Sequence, residues 1–199
     1  MLFRMNQKLL NALIESNPWW TTNKGIDIHI IERDLINELR EYIPKKQIIT
    51  ISGLRRTGKT TIFYKIINDL LLNAESKDIL YFSFDDFIEE ELENILDASL
   101  EINNKIPKYI FFDEVQKVKN WGEKIKRIYD NKKIKIFISG SESLFIRKKT
   151  KESLAGRIFE FNLKPLSFKE YLRFKGIHSD YILNQKRIKL MFNHYLLIG

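Results

Sequence analysis

One stretch of eight residues, Gly53 to Thr60, constrains this chain more than any other. It reads Gly-Leu-Arg-Arg-Thr-Gly-Lys-Thr, the G-x-x-x-x-G-K-[ST] pattern of a phosphate-binding loop. A β-branched run, Ile48 to Ser52, precedes it, and a helical pattern begins at Thr61. A strand, a glycine-rich turn and a helix N-terminus in this order supply the N–H groups, the dipole and the cation that a triphosphate requires. The alternative is an ordinary glycine-bearing turn between a strand and a helix.

The residues of this loop have separate expected roles. The two glycines permit a positive φ and let the backbone approach a phosphate closely. Lys59 is expected to reach the outer phosphates, and the Thr60 hydroxyl to bind Mg²⁺. The residues expected to bind the nucleotide are Gly53, Arg55, Arg56, Thr57, Gly58, Lys59, Thr60 and Thr61.

Five apolar runs that alternate with helical patterns predict the fold class. The runs are rich in Ile, Phe and Tyr, as buried strands are. They cover residues 47–52, 79–84, 108–112, 134–139 and 158–163. Helices are expected at 6–16 and 31–42, and after each of the first four strands. This alternation predicts an α/β fold with a mainly parallel five-stranded sheet covered by helices on both faces.

Local signals set the expected helix starts. The pair Asp85-Asp86 is expected to cap the helix after the second strand, and Asn120 the helix after the third. Ser167 and Glu170 form a capping-box pattern at the start of a C-terminal helix. A further helix is expected to begin near residue 179. The last part of the chain therefore forms a short α-helical appendage to the α/β core.

Two carboxylates, Asp113 and Glu114, directly follow the third strand. That strand is apolar throughout, like strands buried on both faces of a parallel sheet, and the carboxyl ends of such strands border the ligand crevice. An aspartate in this position holds Mg²⁺ together with the loop Ser or Thr, which assigns the metal site to Thr60 and Asp113. Glu114 is the expected catalytic residue that orients or deprotonates the attacking water. The alternative is an ordinary acidic loop.

Phosphoryl transfer also requires charge stabilisation on the phosphate oxygens, often by an arginine. Arg55 and Arg56 in the loop are candidates, and we expect one of them to face solvent or a partner. Arg157, before the fifth strand, is expected to reach a neighbouring subunit's site or to form a surface ion pair. Ser139 and Ser141, at the end of the fourth strand, are candidates to sense the γ-phosphate or to stabilise the turn.

Composition excludes cysteine-dependent sites, argues against membrane insertion and makes DNA a candidate partner. The chain of 199 residues has no cysteine, which rules out disulfides, thiolate metal sites and cysteine nucleophiles. It has no long apolar run and no signal-like start, so we expect no membrane insertion and a cytoplasmic location. The formal net charge of +8 makes DNA a candidate partner. Two basic clusters, Lys132 to Lys135 and Arg147 to Lys151, are candidates for that contact, although such runs are usually solvated faces.

Two further features each allow two interpretations. Trp19 and Trp20 follow Pro18 outside any expected helix, and we expect them to fill a hydrophobic seam because of their large apolar area. The alternative is that they flank an adenine ring. The acidic cluster Glu89 to Glu91 is expected to lie at the positive end of a helix, with a metal site as the alternative.

Taken together, these motifs resemble those of a known family, the archaeal and bacterial AAA+ ATPases whose AAA domain precedes a C-terminal helical and winged-helix-like region. The resemblance covers nearly the whole chain, and Leu54 stands where a proline is common. The segments that carry it are Asn17 to Trp20, Gly53 to Thr61, Phe112 to Gln116 with Trp121, Ser139 to Ser141, Leu154 to Arg157, and Pro165 to Leu172.

The resemblance implies a P-loop NTPase of the ASCE/AAA+ type with three α/β/α layers and strand order 5-1-4-3-2. It implies Glu114 as the catalytic glutamate, sensor 1 at Ser139 or Ser141, and Arg157 acting in trans in a homo-oligomer. It divides the chain into an N-terminal helical linker segment (1–46), an ATPase core (47–164) and the start of a helical lid (165–199). Because family members continue past the last residue here, the resemblance implies an incomplete lid.

The function that this pattern predicts is a Mg²⁺-dependent ATPase. It would hydrolyse ATP to ADP and phosphate and so drive a conformational change in a protein partner or a C-terminal domain, with DNA as a candidate site of action. The alternative is a nucleotide-dependent binding switch or scaffold with negligible turnover. A small-molecule kinase is a third hypothesis, for which the sequence offers no acceptor pocket. A GTPase is disfavoured because no Asn-Lys-x-Asp motif follows the fourth strand.

Overall fold

The computed structural model describes residues 7–27, 31–85, 90–141, 152–177 and 185–198. Its helices are α1 (Gln7–Ser16), α2 (Trp19–Thr22), α3 (Asp34–Tyr42), α4 (Lys59–Leu70), α5 (Leu92–Asn103), α6 (Trp121–Asn131), α7 (Phe168–Phe174) and α8 (Gln185–Ile198). Its strands are β1 (Ile48–Ser52), β2 (Ile79–Ser83), β3 (Tyr109–Asp113), β4 (Lys135–Gly140) and β5 (Ile158–Asn162). Short 3-10 helices lie at Ser76–Asp78 and Val115–Lys117.

The five strands form one sheet in the order β2-β3-β4-β1-β5. Every neighbouring pair is parallel. The expected α/β fold and the order 5-1-4-3-2, which is the same order read from the other edge, are therefore confirmed. Ser83 lies beside Asp113 and Ser52 beside Gly140. Because the strands share one direction, their carboxyl ends meet at one edge of the sheet, where ligand crevices form in such folds.

The centre of the sheet is aromatic. Phe111 of β3 stacks on Phe137 of β4 with ring centroids 4.3 Å apart. Phe63 of α4 meets Phe111 edge-on, with centroids 5.3 Å apart. All three side chains are completely buried. This packing holds α4, the helix that begins at the phosphate loop, against the strand that ends in Asp113.

The N-terminal segment closes the outer edge of β2. Asn17 is fully buried; its side chain accepts a hydrogen bond from the Tyr81 N–H (2.7 Å) and donates one to the Tyr81 carbonyl (2.9 Å). Trp19 and Trp20 are also buried, and both indole N–H groups donate to the Ile79 carbonyl, at 3.0 and 2.8 Å. These contacts satisfy edge-strand groups that would otherwise be open to another chain.

The tryptophans therefore fill a seam at the start of β2, at the opposite end of the strands from the phosphate loop. That position agrees with the expected hydrophobic role and not with the adenine-flanking alternative. They do belong to a regular element, the four-residue helix α2. This helix is barely one turn long, so it is too short to show helical periodicity in the sequence.

Two expected helix starts and one expected capping bond differ from the structure. α3 begins at Asp34 because Arg33 has extended backbone angles (φ −82°, ψ 146°). α5 begins at Leu92, after an extended Glu91, so Asp85 does not cap it. Asp85 instead accepts hydrogen bonds from Lys117. Asn120 precedes α6 in a left-handed conformation with φ 55°, and its side chain makes no capping bond.

Other expectations are confirmed or lie outside the described residues. The capping box of Ser167 and Glu170 is present at the start of α7. Within the acidic cluster, Glu91 forms an ion pair with Lys124. Residue 6, Asp86, Glu89, the basic stretch Arg147 to Lys151 and the helix start expected near residue 179 lie outside the described residues. In the part of the chain that the structure describes, no helix has the length and apolar character needed to span a bilayer.

Candidate nucleotide-binding and hydrolysis site

The phosphate loop joins β1 to α4, and its two glycines occupy positions that disfavour a side chain for different reasons. Gly58, the residue before α4, has φ 97°, which L-residues rarely adopt. A Cβ on Gly53 would lie 2.5 Å from the Leu163 carbonyl oxygen, a distance at which atoms overlap. Arg56 has a φ of 67°, which is uncommon for a non-glycine residue and recurs in ligand-binding loops. These backbone angles and the close approach at Gly53 thus fix the conformation of the loop.

Lys59 is buried, with 5% of its surface exposed. Its ammonium donates to the carbonyl oxygens of Gly53 (3.3 Å) and Leu54 (3.1 Å) and lies 3.6 Å from Glu114 Oε1. The charge is held inside the loop, between the backbone that would surround a phosphate and the carboxylate after β3.

Asp113 is the centre of a buried polar cluster at the carboxyl edge of the sheet. It is 2% exposed. Its Oδ2 accepts hydrogen bonds from the Thr60 hydroxyl (2.5 Å) and the Tyr81 hydroxyl (3.1 Å), and its Oδ1 accepts one from the Ser139 hydroxyl. Burial and the neighbouring Asp113 charge raise the pKa of Tyr81, which keeps that hydroxyl a donor. Four elements, α4, β2, β3 and β4, therefore position one carboxylate.

Glu114 follows in a left-handed conformation with φ 55°. Its N–H donates to the Ser139 hydroxyl (3.3 Å), and its Oε2 accepts a hydrogen bond from the Gln116 amide (2.5 Å). A non-glycine residue in this backbone region costs of order 1–3 kcal/mol and is typical of functional sites. The turn directs the Glu114 carboxylate towards Lys59 instead of continuing the strand.

The remaining residues singled out by the sequence divide into two groups. Arg55, Arg56 and Thr61 are exposed on or beside the loop. The structure brings Ser139 to the carboxylates; Ser141 is half-buried two residues further along. Both loop arginines are exposed, whereas we expected this of only one.

Arg157 lies at the opposite end of the sheet from the phosphate loop. Its carbonyl oxygen accepts a hydrogen bond from the N–H of Ile48, the first residue of β1, whereas the loop follows the last residue of β1. Its guanidinium pairs with Asp130, with Nε 3.0 Å from Oδ1. Within one chain, Arg157 is therefore not part of the site. A role in hydrolysis would require a second copy.

Arg33 and Glu170 form a buried ion pair beside the loop that sequence reasoning missed. They are 7% and 6% exposed, and Arg33 Nε lies 2.8 Å from Glu170 Oε1. The same guanidinium donates to the carbonyl oxygens of Thr57 (2.9 Å) and Lys164 (2.7 Å). One arginine thus joins the phosphate loop, the end of β5 and the helix α7.

Glu170 is saturated with donors. In addition to Arg33, it accepts hydrogen bonds from the N–H groups of Ser167 (2.9 Å) and Asp34 (3.1 Å). Burial raises the pKa of Glu170, but the hydrogen bonds from Arg33, Ser167 and Asp34 together lower it to about 2. The carboxylate is therefore charged throughout the physiological pH range.

The missed residues left different signals in the sequence. The sequence identifies Glu170 as part of a helix cap. Its second role as an ion-pair partner could not be predicted, because its partner Arg33 is 137 positions away. Tyr81 sits in an apolar strand where a tyrosine is unremarkable. Gln116 has the clearest signal, since it lies two residues after Glu114 in the segment that carries the family resemblance.

The donor set fits a magnesium ion. Mg²⁺ prefers oxygen ligands and in nucleotide sites takes one or two protein oxygens together with phosphate oxygens. The Thr60 hydroxyl and Asp113 carboxylate, 2.5 Å apart, are such oxygens and lie directly beside the phosphate loop.

Comparison with known proteins places the chain in a family. A family model described as an AAA domain matches residues 45–172. An uncharacterised protein of Methanocaldococcus jannaschii, MJ1544, is 38% identical over 154 residues, which are 75% of this chain and 32% of that protein. A second from the same organism, MJ1637, is 27% identical over 208 residues, covering 99% of this chain and 41% of that protein. The chain thus spans less than half the length of either relative.

The fold is also similar to that of a solved structure, Caenorhabditis elegans PCH-2. The TM-score is 0.50 at 16% identity, and the match covers 83% of this chain and 55% of that one. At this identity the likeness concerns the fold alone. The family match supports an ATP-binding, ATPase-type function. Because the matched region contains the phosphate loop, Asp113 and Glu114, and covers most of the chain, this chain belongs to the AAA domain family of P-loop ATPases.

Proposed function

We propose that this protein binds ATP with Mg²⁺, hydrolyses it to ADP and phosphate, and uses the cycle to change the conformation of a partner or of a further domain. The observation that carries the proposal is the arrangement at the end of β3. Thr60 Oγ1 lies 2.5 Å from Asp113 Oδ2, and Lys59 Nζ lies 3.6 Å from Glu114 Oε1. The phosphate loop and the two carboxylates thus meet in one place, as hydrolysis requires.

Each side chain has a distinct role in this proposal. Thr60 and Asp113 would hold Mg²⁺, which when bound neutralises charge on the β- and γ-phosphate oxygens. Lys59 would exchange its carbonyl partners for phosphate oxygens. Glu114 would orient the attacking water and accept its proton. Ser139, through Asp113 and the Glu114 N–H, would keep both carboxylates in place and act as the γ-phosphate sensor in preference to Ser141.

Replacing Lys59 with alanine tests nucleotide binding directly. Loss of charge-assisted hydrogen bonds worth about 1.5–3 kcal/mol should weaken ATP binding by about 10- to 150-fold, measured by isothermal titration calorimetry with Mg²⁺ present. Lys65→Ala is the matched control because Lys65 lies on the same helix and pairs with Asp69. Its affinity should stay at the wild-type value. Equal affinity in all three proteins would contradict the assignment of the loop.

A nucleotide-dependent switch is the second candidate function, and one contact favours it. Gln116 holds the Glu114 carboxylate at 2.5 Å, and that carboxylate also faces Lys59. If these contacts persisted with ATP bound, Glu114 could not activate water, and the protein would hold ATP without turnover. Hydrolysis measurements on the Glu114→Gln variant separate the two functions.

Arg157 is proposed to act in trans in a homo-oligomer, since it lies far from the site of its own chain. We expect Arg157→Ala and Glu114→Gln proteins each to hydrolyse ATP poorly. A mixture should regain part of the activity, because some interfaces then combine an intact Glu114 from one copy with an intact Arg157 from another. Wild-type turnover by Arg157→Ala alone would limit this residue to its ion pair with Asp130.

A nucleic acid is the partner that the charge of the chain favours. The formal net charge is +8, and phosphate backbones attract proteins with such an excess independently of sequence. In this proposal the ATP cycle would alter how the longer protein engages DNA.

A further inference from the structure

A groove of about 600 Å³ lies at the amino edge of the sheet, at the end opposite the phosphate loop. Its walls are the segments that lead into β1, β3 and β4, which are neighbours in the sheet. Each of these segments carries lysine, so residues far apart in the sequence meet on one surface. The lysines that define this surface, the basic groove, are Lys45, Lys46, Lys108, Lys132, Lys133 and Lys135.

The positive charge of the basic groove is largely unopposed. No Asp or Glu is among the described residues that line it. Of the nearby carboxylates, Asp78 pairs with Lys105 and with one groove lysine, Lys108, and Asp130 pairs with Arg157 outside the groove. Lys45, Lys46, Lys132 and Lys133 are exposed and form no ion pair with any residue in the described ranges. These four exposed lysines therefore have no protein counter-charge among the described residues.

The groove is held in shape by Lys135. Its ammonium donates to the carbonyl oxygens of Tyr42 (3.0 Å), Lys45 (2.7 Å) and Gln47 (2.6 Å), which ties the segment before β1 to the start of β4. Burial lowers the pKa of Lys135 to about 8. Lys46 lies over the Tyr129 ring at 5.0 Å. The cationic surface is thus partly organised before any ligand arrives.

We propose that the basic groove binds the phosphate backbone of a nucleic acid. Neighbouring strands lie about 4.8 Å apart, so the lysines before β3, β4 and β1 spread over about 10 Å. That spread suits a row of phosphates better than one small anion. Lysine is a point charge without the planar fork that reads bases, so binding is independent of sequence. This inference assigns a binding site to the nucleic-acid partner of the proposed function, and it rests on that function for the choice of partner.

The test uses fluorescence anisotropy of a labelled random-sequence DNA duplex at several salt concentrations, without nucleotide. The groove variant replaces Lys45, Lys46, Lys132 and Lys133 with glutamine. The control variant makes the same charge change at four exposed lysines outside the groove, Lys119, Lys164, Lys169 and Lys189. Circular dichroism verifies that both are folded, and ATP affinity is measured on the same samples.

We expect the wild type to bind with a slope of log affinity against log salt of about −3 to −4, as neutralisation of about four phosphates gives. The groove variant should bind at least tenfold more weakly and lose about one unit of slope per lysine. The control variant should keep most of the wild-type affinity and most of the wild-type slope. A second duplex of different sequence should bind equally well. Failure of the wild type to bind at low salt, or equal losses in the two variants, would overturn the proposal. ATP affinity should be unchanged in the groove variant, so failure of DNA binding would leave the ATPase proposal standing.

Discussion

Replacement of Glu170 by alanine should lower the free energy of unfolding by about 3–5 kcal/mol at neutral pH, because it removes one partner of a buried ion pair. Arg33, which is 7% exposed in the intact protein, would lose its carboxylate partner, although it would keep its bonds to the Thr57 and Lys164 carbonyl oxygens. The N–H groups of Ser167 and Asp34 would also lose their acceptor. Urea unfolding followed by circular dichroism measures the change.

Arg173→Ala is the matched control for this prediction. Arg173 lies three residues along the same helix; its guanidinium lies 2.6 Å from Asp34 Oδ1 and 4.0 Å from Glu170 Oε1, too far for a hydrogen bond to the latter. The Arg173–Asp34 pair is 29% and 54% exposed, and ion pairs with such access to water contribute about 0–1 kcal/mol. The control should therefore unfold almost as the wild type does. Similar losses in both variants would mean that the buried Arg33–Glu170 pair contributes no more to stability than an exposed ion pair.

The same substitution should affect the nucleotide site from a distance. Arg33 donates to the carbonyl oxygen of Thr57, inside the phosphate loop, and Glu170 orients Arg33. Glu170→Ala should therefore weaken ATP binding under conditions in which the variant is still folded. Arg173→Ala should not. Unchanged ATP affinity in folded Glu170→Ala would restrict the pair to a structural role.

The stability that Glu170 contributes should depend on pH in one direction. Its pKa is lowered from 4.5 to about 2 in the folded protein, so the folded state favours the charged carboxylate. The contribution is complete above about pH 4.5 and is lost as the pH falls towards 2. The difference in unfolding free energy between wild type and Glu170→Gln should shrink over that interval. A constant difference would contradict the assigned hydrogen bonds.

The sequence was sufficient for features that depend on short-range patterns. The phosphate loop, the runs that became β1 to β5 and the capping box of Ser167 and Glu170 each combine a residue type with a fixed spacing. Asp113 and Glu114 could be placed beside the loop because the carboxyl ends of parallel strands share one edge. Strand order came from the family resemblance.

Features that depend on contacts between distant segments could not be predicted. The bond between Arg33 and Thr57, the hydroxyl of Tyr81 on Asp113 and the convergence of lysines in the basic groove all arise only when the sheet assembles. Helix starts were wrong where a tertiary contact competes with a local signal. Aspartate is a residue type that often caps helices, but Asp85 is held in the loop after β2 by its contact with Lys117.

Replacement of Glu114 by glutamine should slow ATP hydrolysis by about 100- to 10,000-fold, the usual contribution of a positioned general base. Glutamine has nearly the same shape and can still orient a water, but it cannot accept the proton. ATP affinity should change little, because Thr60, Asp113 and the loop backbone are untouched. A large loss of affinity would indicate that Glu114 organises the loop through Lys59 instead of acting on water.

Glu75→Gln is the control for this variant. This substitution is the same chemical change at an exposed position remote from the phosphate loop, where the Glu75 carboxylate pairs with Lys105. Its turnover should equal that of the wild type. The comparison therefore separates loss of the catalytic carboxylate from the general effect of removing one negative charge.

Whether this protein hydrolyses ATP with Glu114 as the general base is tested by single-turnover hydrolysis of γ-labelled ATP. The wild type and Glu114→Gln are compared with Mg²⁺ present, in each oligomeric state isolated. The wild type should release labelled phosphate in at least one of these states. Glu114→Gln should bind ATP but release labelled phosphate at least 100-fold more slowly, in line with removal of a general base. Bound ATP that stays intact in both proteins, in every oligomeric state, would contradict the ATPase assignment and leave the nucleotide-dependent switch.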